Sequence, residues 1–251
     1  MTTDTCDPET GTSFSGPDGS LQTTERLPLS NPYAWLIGLD GIRAIARRRF
    51  RLVGAVPGAR ILVVGCGTGD DVLALARLVK PGGRAFGIDQ EETDLLDARR
   101  RAATAGLAAK FHQGTPDDLP FPDASFDGVC AAWFLSADID PALAVSEMVR
   151  VVRPGGRIVI DDTDWTQATL GIGDPGTVRR VLHHQSASTG STGARLPIDQ
   201  LAQAEHLINL TTSAIPVQDR SGATSRLFAE MAAAAATAGA ILNLDASVMT
   251  R

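Results

Sequence analysis

From Arg60 to Asp162, short apolar runs rich in β-branched residues alternate with longer segments whose apolar positions return at helical spacing. The first pattern predicts strands at Arg60–Val64, Arg84–Asp89, Lys110–Gly114, Phe126–Trp133 and Arg157–Asp162. The second predicts helices at Asp70–Lys80, Glu91–Ala105 and Pro141–Val152, two of them closed by the turns Pro81-Gly82-Gly83 and Pro154-Gly155-Gly156. Strands that read as near-continuous apolar runs are buried on both faces, which requires a parallel sheet covered by helices on each side. The expected fold is therefore α/β, with a doubly wound, mostly parallel, Rossmann-like sheet.

The flanks follow other patterns. Residues 1 to about 28 show no hydrophobic period and read as a disordered or loosely attached arm, after which an apolar, helix-like stretch runs from Pro32 to Leu52. Residues 29–251 form the expected main domain. Within it, residues 163–200 are rich in Gly, Thr and Ser, with one helical piece around Thr177–Gln185, and read as a lid or substrate insertion. Leu207–Pro216 and Ile241–Met249 are expected to complete a seven-stranded sheet around a helix at Ser225–Ala238. The short, alanine-rich end suggests a last strand that is irregular or completed by a partner chain, so a homodimer is one expectation. No internal repeat is visible.

Ligands of open parallel sheets bind beyond the carboxyl ends of the strands, where the first βα turn brings backbone close to a nucleoside. Here that turn is Gly65-Cys66-Gly67-Thr68-Gly69, although a tight turn without a ligand reads the same way. Asp89 ends the second strand about 20 residues later, where a carboxylate accepts hydrogen bonds from both ribose hydroxyls; capping the next helix is the alternative. A dinucleotide loop needs a small residue where this chain has Asp70, followed by Asp71. Carboxylates there suit the helix dipole but repel a pyrophosphate, so the pattern favours a phosphate-free, cationic nucleoside such as S-adenosylmethionine.

Composition narrows the partners. The net charge is -6 over 251 residues, with a pI near 5.2, so no global field attracts nucleic acid or an anionic membrane. No run approaches a membrane span, and the polar first thirty residues lack a secretory pattern. Cys6, Cys66 and Cys130 show neither disulfide nor metal spacing, which fits a cytoplasmic protein acting on a small molecule.

Three motifs in order carry a family resemblance: Val63-Val64-Gly65-Cys66-Gly67-Thr68-Gly69, Leu119-Pro120-Phe121-Pro122-Asp123-Ala124-Ser125-Phe126-Asp127 and Arg150-Val151-Val152-Arg153-Pro154-Gly155-Gly156. The chain resembles the class I S-adenosylmethionine-dependent methyltransferases, and within them the quinone-biosynthesis-like branch with its secondary-metabolite and antibiotic tailoring enzymes. Asp164-Trp165 adds to the likeness, which covers about residues 33–165. The resemblance implies S-adenosylmethionine as cofactor. It also implies cofactor contacts from Gly65, Cys66, Gly67 and Gly69, ribose contacts from Asp89 and Gln90, an adenine wall at Gly114, Thr115 and Pro116, and a methionine floor at Ala132 and Trp133.

Two positions depart from the family pattern: Val63 stands where an acid usually holds the methionine part, and Thr115 where an acid usually meets adenine, with Asp117 and Asp118 just downstream. These departures keep open a non-methylating cyclase or lyase, and a scaffold without activity, beside a small-molecule methyltransferase acting on a polyketide-, quinone- or peptide-derived metabolite. His183 and His184 are the candidate general bases, with an exposed helical pair as the alternative. Tyr33, Trp35, Phe134 and Trp165 are the candidate substrate residues; each reads equally as a core anchor. Asp161, Asp162 and Asp164, together with Asp138 or Asp140, could hold Mg²⁺ through oxygen ligands, but they read first as turn and cap residues, so no metal is expected.

Overall fold

The computed structural model describes residues 39–133, 139–163 and 174–188, together with Trp165, Ala168, Leu207, Thr211, Ser213, Ile215, Pro216, Val217, Phe228 and Met231. All of these belong to the compact unit Pro32–Arg251. The expected arm at 1–28 and the expected last strand at Ile241–Met249 lie outside the described residues.

Helix α1 (Asp40–Leu52) leads into β1 (Arg60–Val64), α2 (Asp70–Leu78), β2 (Arg84–Asp89), α3 (Glu92–Thr104), β3 (Ala109–Gln113), β4 (Phe126–Ala132), α4 (Pro141–Val151), β5 (Val152–Asp161) and α5 (Pro175–Ser188). The five strands form one parallel sheet in the order β3-β2-β1-β4-β5. The chain winds outward from β1 to β3, then returns to place β4 on the other side of β1. That reversal makes the β1–β4 boundary the switch point where doubly wound sheets open a crevice for ligands. The register brings Val64, Asp89, Gln113, Ala132 and Asp161 to the same edge of the sheet.

Alternation along the buried strands divides the core. Ile61, Val63 and Cys130 point to one face and pack with Phe50 and Val53 from the α1 end, Val72 and Leu75 of α2, and Leu95 and Ala98 of α3. Leu62, Val64, Phe86, Ile88 and Val129 point to the other, against Met148 and Val151 of α4. Burying both faces is what makes β1, β2 and β4 nearly unbroken apolar runs in sequence.

Most expected boundaries hold within two residues. The exception is β5, which continues directly from α4: Val152 pairs with Phe126, the register then shifts, and Arg157 pairs with Gly128. The Pro154-Gly155-Gly156 turn thus forms an irregularity within the strand, with Gly155 at φ +78°. The helical piece expected at Thr177–Gln185 extends over Pro175–Ser188. Within the expected strand Leu207–Pro216, the described residues Leu207, Thr211, Ser213, Ile215 and Pro216 are outside regular structure. Ile215 and the following Val217 are exposed, so little burial favours a strand there, and Pro216 lacks a donor for a ladder. Phe228 and Met231 are helical and buried, as expected of Ser225–Ala238.

Candidate functional site

The glycine loop owes its shape to residues beneath it. Gly65, Gly67 and Gly69 all take positive φ, at +69°, +48° and +83°. The N–H groups of Gly65 and Cys66 both donate to Ile88 O at the end of β2. Gly69 caps α2, and a Cβ there would lie 2.8 Å from the Phe111 ring and 2.9 Å from Ala98 Cβ. Its missing side chain therefore serves close packing beneath the loop.

Asp89 joins the loop to the second strand. Its Oδ2 accepts the Gly67 N–H at 2.7 Å and its Oδ1 accepts the Glu91 N–H at 3.0 Å, so the carboxylate both holds the loop and caps the turn into α3. Gln90 is exposed beside it, and its carbonyl accepts from Gln113 Nε2. The Gly114 N–H donates to Asp89 O, a Cβ at Gly114 would lie 2.8 Å from Ile88 Cδ1, and Thr115 forms an isolated bridge with Asp118. The 114–116 segment is thereby fixed against Asp89, with Thr115 exposed and Pro116 buried.

Cys66 plays a different part from the glycines. Its Sγ would come within 2.7 Å of a Cβ placed on Gly87, so the thiol packs down onto β2, where burial and the nearby Asp89 charge raise its pKa. Cys130, buried beside Arg49, is likewise pushed up, to about 12. Both thiols stay protonated near neutral pH and are poor nucleophiles.

The far side of the site is built from the ends of β4 and β5. Trp133 adopts φ +50°, costly for a bulky residue, and is held there by its N–H donating to Asp161 O. Its indole Nε1 donates to Thr163 Oγ1 at 2.9 Å. Ala132 is half-buried just before it.

Arg49 is the residue that sequence reading missed. It is 5% exposed, and its guanidinium spans two carboxylates: Nη2 bonds Asp71 Oδ2 in the first turn of α2, while Nη1 bonds both oxygens of Asp161, at 2.5 and 2.7 Å. Burial raises the Asp71 and Asp161 carboxyls above the usual carboxylate range, and the Arg49 charge offsets only part of that rise. Asp70 is similarly engaged by Arg101, which also donates to Thr68 O at 2.8 Å. Asp70 and Asp71, expected to suit the helix dipole and repel a pyrophosphate, are each paired with an arginine, which offsets part of that repulsion.

The other two motifs serve one another. Arg150 donates to Leu119 O, Phe121 O, Asp123 and Glu147, and Glu147 in turn accepts the Leu119 N–H at 2.9 Å. The Ala124 and Ser125 N–H groups donate to Arg150 O and Val151 O. This clamp fixes the chain entering β4, whose other end carries Trp133.

His183 is exposed and His184 half-buried on α5, and among the described residues neither has a hydrogen bond or ion pair. Trp165 is 5% exposed, so it sits in packed surroundings. Tyr33, Trp35 and Phe134 lie outside the described residues, as do Asp138 and Asp164. Asp140 caps α4 by accepting from the Ala142 N–H, and Asp162 accepts the Thr163 N–H, both in cap and turn roles. Among the described residues no group of three His, Cys, Asp or Glu side chains is arranged to hold a metal, and no helix is long and apolar enough to cross a membrane.

A parallel sheet with a glycine loop after its first strand and an acid ending its second is the arrangement with which doubly wound α/β proteins bind nucleosides. A family model described as a methyltransferase domain matches residues 55–210, and the chain belongs to that family, within the class I fold. It is 39% identical over 117 residues to a demethylmenaquinone methyltransferase of Symbiobacterium thermophilum, covering 46% of this chain and 45% of that one. It is 34% identical over 166 residues to an uncharacterised 37.1 kDa protein in transposon TN4556 of Streptomyces fradiae, covering 64% and 48%. The chain spans about half the length of the curated relatives it matches. Among solved structures, the [4+2]-cyclase SpnF superposes with a TM-score of 0.54 at 24% identity, over 77% of this chain and 68% of that one. The YcgJ protein of Bacillus subtilis gives 0.51 at 21%, over 64% and 66%. These two likenesses are of fold alone.

Proposed function

We propose that the chain is an S-adenosylmethionine-dependent methyltransferase of the cytoplasm, acting on a small polyketide-, quinone- or peptide-derived metabolite. The observation that carries this reading is the state of Asp89. A carboxylate offers about four acceptor positions, and the bonds from the Gly67 and Glu91 N–H groups use two. The two that remain match the two hydroxyls of a ribose. A dinucleotide is disfavoured because Asp70, although paired with Arg101, puts a side chain where a dinucleotide loop needs a small residue for pyrophosphate to approach α2.

Bound S-adenosylmethionine supplies an electrophilic methyl group on a sulfonium. In this reading Asp89 and the 114–116 segment hold the adenosine half, and the Gly67 turn leaves room for the ligand beside the loop. The indole of Trp133, anchored by Thr163, lies toward the sulfonium, where an aromatic face suits a cation. Displacement in line needs chiefly proximity and a dry cavity, so a base is required only for an acceptor that must lose a proton. His183 and His184 are the proposed candidates for that proton.

The test is incubation with isotopically labelled cofactor and a panel of demethylated quinones, polyketides and peptides, read by mass spectrometry. Labelled product supports the reading; cofactor binding with no methylated product from any acceptor counts against it. Val63 favours a second reading, because it is buried beside Cys130 and gives the end of β1 no carboxylate for the cofactor's ammonium. In that reading the protein is a cyclase or lyase that keeps the cofactor as a fixed charge. Product formed without cofactor consumption distinguishes it.

A further inference from the structure

Arg49 belongs to neither the glycine loop nor the strand ends, yet it touches the elements that carry both. Helix α1 brings it to the sheet on the face that buries Phe50 and Val53, leaving 5% of it exposed. One carboxylate it holds, Asp71, lies two residues after Gly69. The other, Asp161, is the register partner of Ala132, and its carbonyl holds Trp133 at φ +50°. The guanidinium thus bridges the two sides of the crevice.

The cost of this bridge argues that it does more than stabilise. A buried ion cluster is seldom more stable than apolar side chains of the same volume. This one also leaves Arg49 Nε buried with no hydrogen-bond partner among the described residues. A group kept under those conditions, with both of its terminal nitrogens committed to opposite walls of one site, is accounted for by geometry.

We propose that Arg49 is a positioning residue, which sets the separation between the first turn of α2 and the end of β5 and so fits the crevice to the amino-acid end of the cofactor. The proposal rests on the cofactor pose given under Proposed function. Arg49 itself need not touch the ligand. The adenosine half, held at Asp89 and 114–116 on the β2 side, is outside its reach.

That asymmetry gives the test. Calorimetry on the full chain compares S-adenosylhomocysteine, which occupies both halves, with 5′-methylthioadenosine, which lacks the amino-acid end. Two variants are used. Arg49→Lys keeps a cation but offers one ammonium where the guanidinium spans two carboxylates. Arg49→Met combined with Asp71→Asn and Asp161→Asn removes the whole cluster, so no unpaired charge is left to unfold the protein. For the variants that melt cooperatively, binding of S-adenosylhomocysteine is expected to weaken about tenfold or more, with 5′-methylthioadenosine held within about twofold. Unchanged affinity for both ligands, or a parallel fall in both, overturns the positioning role. Wild-type protein that binds 5′-methylthioadenosine but gains nothing from the amino-acid end also overturns it. Wild-type protein that binds neither ligand instead sinks the cofactor pose, and the proposal with it.

Discussion

Replacing Asp89 with alanine removes an acceptor that two backbone N–H groups share in the free protein and that two ribose hydroxyls would share in the complex. In the free protein, the loss exposes the Gly67 and Glu91 N–H groups, now bonded at 2.7 and 3.0 Å, but the site is half-buried and water can replace the carboxylate. The cost to folding is about 1 kcal/mol, or about 2–4 °C in melting temperature for a domain of this size. In the complex, two hydrogen bonds to a charged acceptor disappear. At about 1–2 kcal/mol each after allowance for exposure, they total about 2–4 kcal/mol, or roughly thirty- to thousand-fold in dissociation constant. Asn at this position keeps one oxygen but turns an amide donor toward one of the two backbone N–H groups, so about half of the binding loss is expected. Calorimetry with S-adenosylhomocysteine, beside a thermal melt of each variant, reads both quantities. If Asp89→Ala binds S-adenosylhomocysteine as tightly as wild type, the ribose assignment is wrong and the carboxylate is only a loop staple.

Gly87→Ala would place a Cβ 2.7 Å from Cys66 Sγ and 2.9 Å from Val72 Cγ2, so a loss of about 1–3 kcal/mol is expected in denaturant titration. Adding Cys66→Ala should recover part of it, and an undiminished single variant would show that the loop yields freely. Glu147 is held below the usual carboxylate range by the Arg150 hydrogen bond and the Leu119 N–H. Its share of stability is therefore complete above the unfolded value near 4.5 and is lost as pH falls through the lower folded value. Glu147→Gln should flatten that acid-side slope in urea titrations run from neutral pH to about 3, and an unaltered slope would place the acid sensitivity elsewhere. Thr163→Val removes the 2.9 Å bond from Trp133 Nε1, which should cost about 1 kcal/mol in a thermal melt and weaken S-adenosylhomocysteine binding; no change in either would mean that the indole is held by other contacts.

The sheet was legible because its inner strands β1, β2 and β4 are buried on both faces, which forces nearly unbroken apolar runs such as Ile61–Val64 between turn residues. Asp89 was legible because its distance from the glycine loop is set by the length of one helix and one strand. Arg49 was not, since it stands in the run Arg47-Arg48-Arg49 followed by Arg51, where a solvated helix face is the ordinary reading. A signal was present: Ile42, Ala46, Arg49, Phe50 and Val53 recur at helical spacing, so Arg49 alone of the run interrupts the apolar stripe. Its partners, Asp71 and Asp161, are 22 and 112 residues away, and only the folded sheet brings them together. The second and third motifs were visible as strings, but that Arg150 ties one to the other depends on a clamp spanning 27 to 31 residues.

The Arg49 bridge bears on how this chain can be recombined with its relatives. A chimera with its crossover between Val53 and Arg60 takes the guanidinium from one parent and both carboxylates from the other. Unless the two parents share the cluster, such a hybrid inherits either a buried cation without anions or two half-buried anions without a cation. Exchange of the leading segment should therefore cut ahead of Asp40, so that α1 travels with the sheet it is fastened to.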